Sequence, residues 1–193
     1  MTETGIYGGS FNPIHKGHTA LAERLCETGR LDEVWFLVSP RNPFKETATD
    51  LLDENVRLAL ARLAVRHHPK LKVSDFEFNL PRPSYTADTL SALRWSFPDR
   101  QFTLIIGADN WLSFNRWKAP EEILAHHRIL VYPRPGYPID MSALPRGVTV
   151  VDTPLIELSS TEIRRTIAQG DDASYGLDEA VWQEIRSKGY YRP

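Results

Sequence analysis

Most of the chemistry that can be read from this chain lies near its amino terminus, in Gly8-Gly9-Ser10-Phe11-Asn12-Pro13-Ile14-His15-Lys16-Gly17-His18. Gly8 and Gly9 let a ligand come close to the backbone. A helix starting just after them presents free N–H groups and the positive end of its dipole, which suits phosphate. His15 and His18 are three positions apart, so in a first helical turn they share a face. Gly17 between them leaves room. The pair can donate hydrogen bonds to a polyphosphate. Two other readings stand on spacing alone. The imidazoles could be exposed helix starters, or they could hold a metal, although no cysteine or carboxylate lies nearby at ligand spacing. No glycine separates Gly9 from Gly17, so the string is neither GxGxxG nor GxxxxGK[ST].

A second string, Leu158-Ser159-Ser160-Thr161-Glu162-Ile163-Arg164, starts another helix. Ser159 and Glu162 have the spacing of a capping box. Ser160 and Arg164 are four apart and share a face. A helix start that carries hydroxyls and a guanidinium is an anion site. Read alone, it is equally a well-capped helix.

The elements that position these strings follow from apolar patterning. Gly5 to Tyr7, Val34 to Val38, Lys72 to Ser74, Phe102 to Ile106, Arg128 to Tyr132 and Val148 to Val151 read as strands, several of them continuous apolar runs. Helices are expected over Lys16 to Thr28 with Gly29 as the stop, from Asp53 to about His68, from about Ser84 to Ser96, and over Pro120 to Ala125. Two more close the chain, over Ser159 to Gln169 and Asp178 to Lys188. Ser39 to Asp50 and Pro133 to Gly147 read as loops. Buried strands alternating with helices imply an α/β fold: a doubly wound, Rossmann-like parallel sheet with helices on both faces. Ligands then bind beyond the carboxyl ends of the strands. Residues 1–193 are expected to form one domain, with the helices of 159–193 completing the phosphate site. Trp35, Trp95, Trp111 and Trp182 read as core or surface packing, and Cys26 as a small buried residue.

With its motifs in place, GGSFNPIHKGH resembles the signature of the HxGH nucleotidyltransferase superfamily, and within it the nicotinate-nucleotide adenylyltransferases. Ser159 to Arg164 is similar to the family's SSTxIR signature. The resemblance extends to Gly107-Ala108-Asp109-Asn110 (GxDN), to Ser84-Tyr85-Thr86 with Asp88-Thr89-Leu90 (SYTxDTL), to Trp117, to Asn42-Pro43-Phe44-Lys45, and to the closing Gly189-Tyr190-Tyr191. It implies transfer of AMP from ATP to the phosphate of nicotinate mononucleotide, which gives deamido-NAD and pyrophosphate. The acceptor phosphate is itself the nucleophile. His15, His18 and Arg164 are the implied catalytic residues. Gly8, Gly9, Ser10, Phe11, Gly107, Asp109, Ser159, Ser160 and Thr161 join His18 and Arg164 around ATP, with Asp109 on the ribose. Asn42, Lys45, Tyr85, Thr86 and Trp117 are implied for the acceptor, and Lys45 also for the phosphates. Mg²⁺ is expected to ride mainly on the ATP phosphates rather than in a protein cage.

Other readings share parts of this pattern: an adenylyltransferase acting on nicotinamide mononucleotide or phosphopantetheine, a cytidylyltransferase, an aminoacyl-tRNA synthetase fragment without its KMSKS string, or a non-catalytic adenine-nucleotide sensor. SYTxDTL and Trp117 favour a pyridine acceptor. Among 193 residues, 23 Lys and Arg against 25 Asp and Glu leave a formal net charge of -2, which argues against a general nucleic-acid binder. The single cysteine fits a reducing compartment. No apolar run approaches the roughly 20 residues of a membrane span. The start of the chain lacks the basic and apolar regions of a signal peptide. A soluble cytoplasmic protein is expected.

Overall fold

The structure, a computed structural model, describes residues 1–40, 50–155 and 157–193. Six strands form one parallel sheet: β1 (Thr2–Gly9), β2 (Glu33–Val38), β3 (Leu71–Ser74), β4 (Arg100–Gly107), β5 (Arg128–Tyr132) and β6 (Val148–Val150). Their order across the sheet is β3-β2-β1-β4-β5-β6. The helices are α1 (Lys16–Thr28), α2 (Glu54–Val65), α3 (Thr86–Ser96), α4 (Ala108–Leu112), α5 (Pro120–His126), α6 (Ser160–Ala168) and α7 (Glu179–Lys188).

Strand side chains alternate between the two faces of the sheet, and the core divides accordingly. Tyr7, Phe36, Ile105 and Leu130 point to one side, where they meet Leu25 of α1, Leu60 of α2, Ile163 of α6 and Val181 of α7. Their strand neighbours Ile6, Leu37, Leu104 and Ile129 point to the other, against Leu90 and Leu93 of α3 and Ile123 of α5. The sheet is therefore covered on both faces, as its apolar runs require.

Winding reverses between β1 and β4, which lie side by side with Tyr7 opposite Ile105. This is the switch point at which a doubly wound sheet opens a crevice beyond its strand ends. Gly8 and Gly9 end one of these strands and Gly107 ends the other.

The structure refines several local expectations. β1 and β4 are longer than the apolar runs inside them, and a short helix, α4, begins directly after Gly107. Gly29 does end α1, as expected, in a right-handed conformation (φ -83). A Cβ there would lie 2.6 Å from the Leu25 carbonyl oxygen and 2.9 Å from Leu130 Cδ1, so close packing is what requires glycine. Of the four tryptophans read as core or surface packing, Trp95 is on the surface, 80% exposed on α3.

Candidate active site

His15 caps α1 in an extended conformation, and its backbone N–H donates to Nδ1 of His18 at 3.1 Å. The two rings stack, with centroids 3.6 Å apart. Because Nδ1 of His18 is an acceptor, its proton resides on Nε2, which is left as a donor. His15 is buried, and its own Nδ1 has no hydrogen-bond partner among the described residues. Burial, reinforced by the nearby Arg134 guanidinium, pulls the His15 pKa down to about 4. Burial and the His15 ring also hold His18 well below the usual imidazole range. Both rings are therefore neutral near pH 7. Phe11 adopts φ 45 so that its ring folds back over Gly9 and meets the His18 ring edge-on at 5.1 Å. A Cβ on Gly9 would stand 3.1 Å from that ring, a tight contact that the ring would have to shift by a few tenths of an ångström to relieve.

The second string meets the first directly. Ser159 caps α6 by accepting from the Glu162 N–H. Ser160 Oγ donates to the Pro13 carbonyl at 2.9 Å. Arg164 donates through Nη1 to the Asn12 carbonyl at 2.8 Å and through Nε to the Asp50 carboxylate at 2.6 Å. The Asn12 side chain donates to the Asp50 carbonyl and accepts from Leu52 N–H and Tyr191 Oη. The α6 helix start thus sits on the loop that leads into the histidine pair. Thr161 is exposed on the same turn.

A cavity of about 540 Å³ opens at the switch point. Tyr7, Gly8, Gly9, Gly107 and Tyr132 form one end of it, and Tyr85, Thr86 and Trp117 border it as well. His15, His18 and Arg164 do not line it; the His18 ring is 5.9 Å from that of Tyr7, which does. A Cβ on Gly8 would meet nothing within 4 Å, so the bare backbone faces open space. Asp109 lies in the first turn of α4, and Arg134 Nε is 3.3 Å from its Oδ1. Arg134 also donates to Tyr132 Oη, which accepts from Tyr7 Oη in turn. Neither Ser84 nor Thr86 caps α3: Tyr85 is the cap residue and makes no side-chain cap bond, while Ser84 turns to Glu77. Asn42 and Lys45 lie outside the described residues.

Sequence reasoning missed four residues. Arg134 follows β5 just as Asp109 follows β4, so the rule that directs attention to strand ends would have found it. Arg57 is fully buried and donates to the carbonyls of Ser10, Ser39, Pro40 and Leu52. Glu77 is buried against the cavity, and Arg116 borders it. Nothing in local sequence marks these three. Among the described residues, no three His, Cys, Asp or Glu side chains gather at metal-ligating spacing, and no helix is long and apolar enough to cross a membrane.

The family described as cytidylyltransferase-like matches residues 6–166. A Bacteroides fragilis protein named "Probable nicotinate-nucleotide adenylyltransferase" is 55% identical over 184 residues, covering 95% of this chain and 91% of that one. This chain belongs to the nicotinate-nucleotide adenylyltransferase family. A Cytophaga hutchinsonii relative of the same name is 43% identical and covers 97% of both chains. Among solved structures, a Plasmodium falciparum nicotinic acid mononucleotide adenylyltransferase complexed with NaAD superposes with a TM-score of 0.82 over 99% of this chain and 98% of that one, at 18% identity. A Vibrio parahaemolyticus structure gives 0.75 at 24% identity, over 100% of this chain and 96% of that one. At such identities the likeness speaks for the fold, which this family member shares.

Proposed function

We propose that this chain transfers the adenylyl group of ATP to the phosphate of nicotinate mononucleotide, releasing deamido-NAD and pyrophosphate. The observation that carries this reading is the seating of the α6 start on the Asn12–Pro13 backbone that leads into the stacked histidines, with the His18 ring 5.9 Å from that of Tyr7, which lines a cavity that runs to Trp117. Two anion-seeking helix ends then serve one triphosphate, and the acceptor has a place to lie.

An oxygen of the acceptor phosphate attacks the α-phosphorus, and the bond from that phosphorus to the bridging oxygen breaks as pyrophosphate leaves. The chain needs no nucleophile of its own. Its work is alignment and stabilisation of charge. His18 donates from Nε2 to a phosphate oxygen, with His15 beside it. Ser160, Thr161 and Arg164 hold the leaving pyrophosphate at the helix capped by Ser159, and Arg164 exchanges the Asp50 carboxylate for phosphate as ATP enters. Gly8, Gly9, Ser10 and Gly107 offer backbone at close range. Phe11 shapes that loop, and Asp109 accepts from the ribose. Tyr85, Thr86 and Trp117 take the pyridine nucleotide. Asn42 and Lys45 keep their roles from sequence alone. Magnesium held mainly by the phosphates supplies further charge neutralisation. The imidazole, hydroxyl and guanidinium donors at this end fit phosphate oxygens and leave the ion to ATP. The residues from Ser159 onward complete the phosphate site as part of one catalytic domain, and a chain with one buried cysteine suits the reducing cytoplasm.

The test is pyrophosphate release from ATP and Mg²⁺ with nicotinate mononucleotide, nicotinamide mononucleotide or phosphopantetheine. Rapid release with the first is expected. ATP binding without release under any acceptor would replace the enzyme with a nucleotide sensor.

A further inference from the structure

Beside Trp117 the cavity has an uneven supply of charge. Arg116 and Lys118 both border it. Lys118 is engaged: its Nζ lies 2.7 and 3.0 Å from the two Asp88 carboxylate oxygens and sits over the Tyr85 ring at 5.1 Å. Among the described residues, no carboxylate lies within ion-pair distance of Arg116.

Glu77 is the one carboxyl group among the described lining residues. It is 7% exposed and accepts hydrogen bonds from Thr89 Oγ1 at 2.9 Å and Ser84 Oγ at 3.4 Å, with the Ser39 hydroxyl also turned to it. A carboxylate offers about four lone-pair sites. Three hydroxyls leave Glu77 little capacity for a further donor.

The acceptor's phosphate must reach the histidine end, so its ring lies toward Trp117 and Arg116. A ring amide brings N–H donors that need acceptors, and three of the roughly four lone-pair sites on Glu77 are already taken. A ring carboxylate brings only acceptors and a charge. It meets a guanidinium whose fork of N–H groups matches two carboxylate oxygens. Resting on the reaction proposed above, we infer that Arg116 selects an acceptor with an anionic pyridine ring over its amide counterpart. Glu77 is kept out of that choice by its hydroxyl partners. Arg116 is an exposed residue in a short 3-10 turn, so its replacement spares the core.

The experiment compares kcat/KM for nicotinate and nicotinamide mononucleotide in the wild type and in Arg116→Gln, Arg116→Lys and Arg116→Glu, reading the ratio of the two. The wild type should favour nicotinate. Arg116→Gln should cut that ratio roughly 10–100-fold, the worth of a charge-assisted hydrogen bond. Arg116→Glu should cut it further, and Arg116→Lys, which keeps the charge but loses the fork, should fall between Gln and wild type. An unchanged ratio overturns the assignment even if both rates drop, because an equal loss means contact with the phosphate or ribose that both acceptors share. A wild-type preference for the amide overturns it as well. A wild type that releases pyrophosphate with neither acceptor is a separate result, which removes the proposed reaction and this inference with it.

Discussion

His15 and His18 hold each other in a neutral state that is ready to donate. The backbone N–H of one fixes the tautomer of the other, and burial strips both of charge. In the reaction proposed above, a neutral N–H donor would stabilise developing phosphate charge without adding a buried cation to the free protein. Replacing His18 with Ala should lower kcat by roughly 10²-fold or more, as loss of a donor to developing charge does elsewhere. Unaltered turnover in a folded His18→Ala protein would remove that role. Gly8 gives a second prediction at this scale. Its backbone is not left-handed, and a Cβ would meet no protein atom. Gly8→Ala should therefore keep the melting temperature while kcat/KM drops by roughly 10–100-fold, because the methyl stands where substrate must approach the backbone. A matching loss of thermal stability would instead make Gly8 a folding requirement.

At the scale of elements, two helix starts do the arranging. α1 begins at the histidine pair, and α6 begins on the loop before it. Arg57 of α2 ties that loop to the end of β2 by donating to Ser10, Ser39 and Pro40. Among the described residues, no carboxylate forms an ion pair with Arg57. A planar guanidinium satisfies several carbonyls that would otherwise be buried without partners. The α6 start depends on its cap. Ser159→Ala removes the acceptor for the Glu162 N–H and should cost about 1 kcal/mol. In a chain of this size that lowers Tm by about 2–4 °C. Since this turn also carries Ser160 and Arg164, the KM for ATP should rise with it. A lowered Tm with an unmoved KM would separate α6 from the nucleotide.

For the whole molecule, the buried histidines tie stability to pH. His15 sits near 4 in the fold and near 6.5 in an unfolded chain. Between those values the unfolded chain binds more protons, so stability rises with pH across the window. The contribution is complete above the unfolded value and is lost as pH falls through the folded one, about 3 kcal/mol in all. Glu77 works in the opposite sense, because burial pushes its carboxyl up. The measurement is therefore the difference between wild type and His15→Gln in urea unfolding at several pH values from 4 to 7. The wild type should lose more stability on acidification than the variant. Parallel losses would mean that His15 is not the group responsible.

Much of this architecture is local in origin. The apolar runs of β2, β4 and β5 announce a sheet buried on both faces. Ser159 with Glu162, and His15 with His18, mark helix starts because caps and first turns depend on residues only a few positions apart. The family strings single out the two helix-start segments for the same reason. What no short stretch contains is contact between distant segments. Ser160 reaches Pro13 across 147 positions, and Tyr191 reaches Asn12 across 179. Arg57 shows no special context in α2 until two other segments fold around it. Glu77 and Arg116 look like ordinary charged residues until the switch point opens a cavity between them. Burial, pairing and pKa belong to an environment built by the whole chain, and only the tertiary structure supplies that environment.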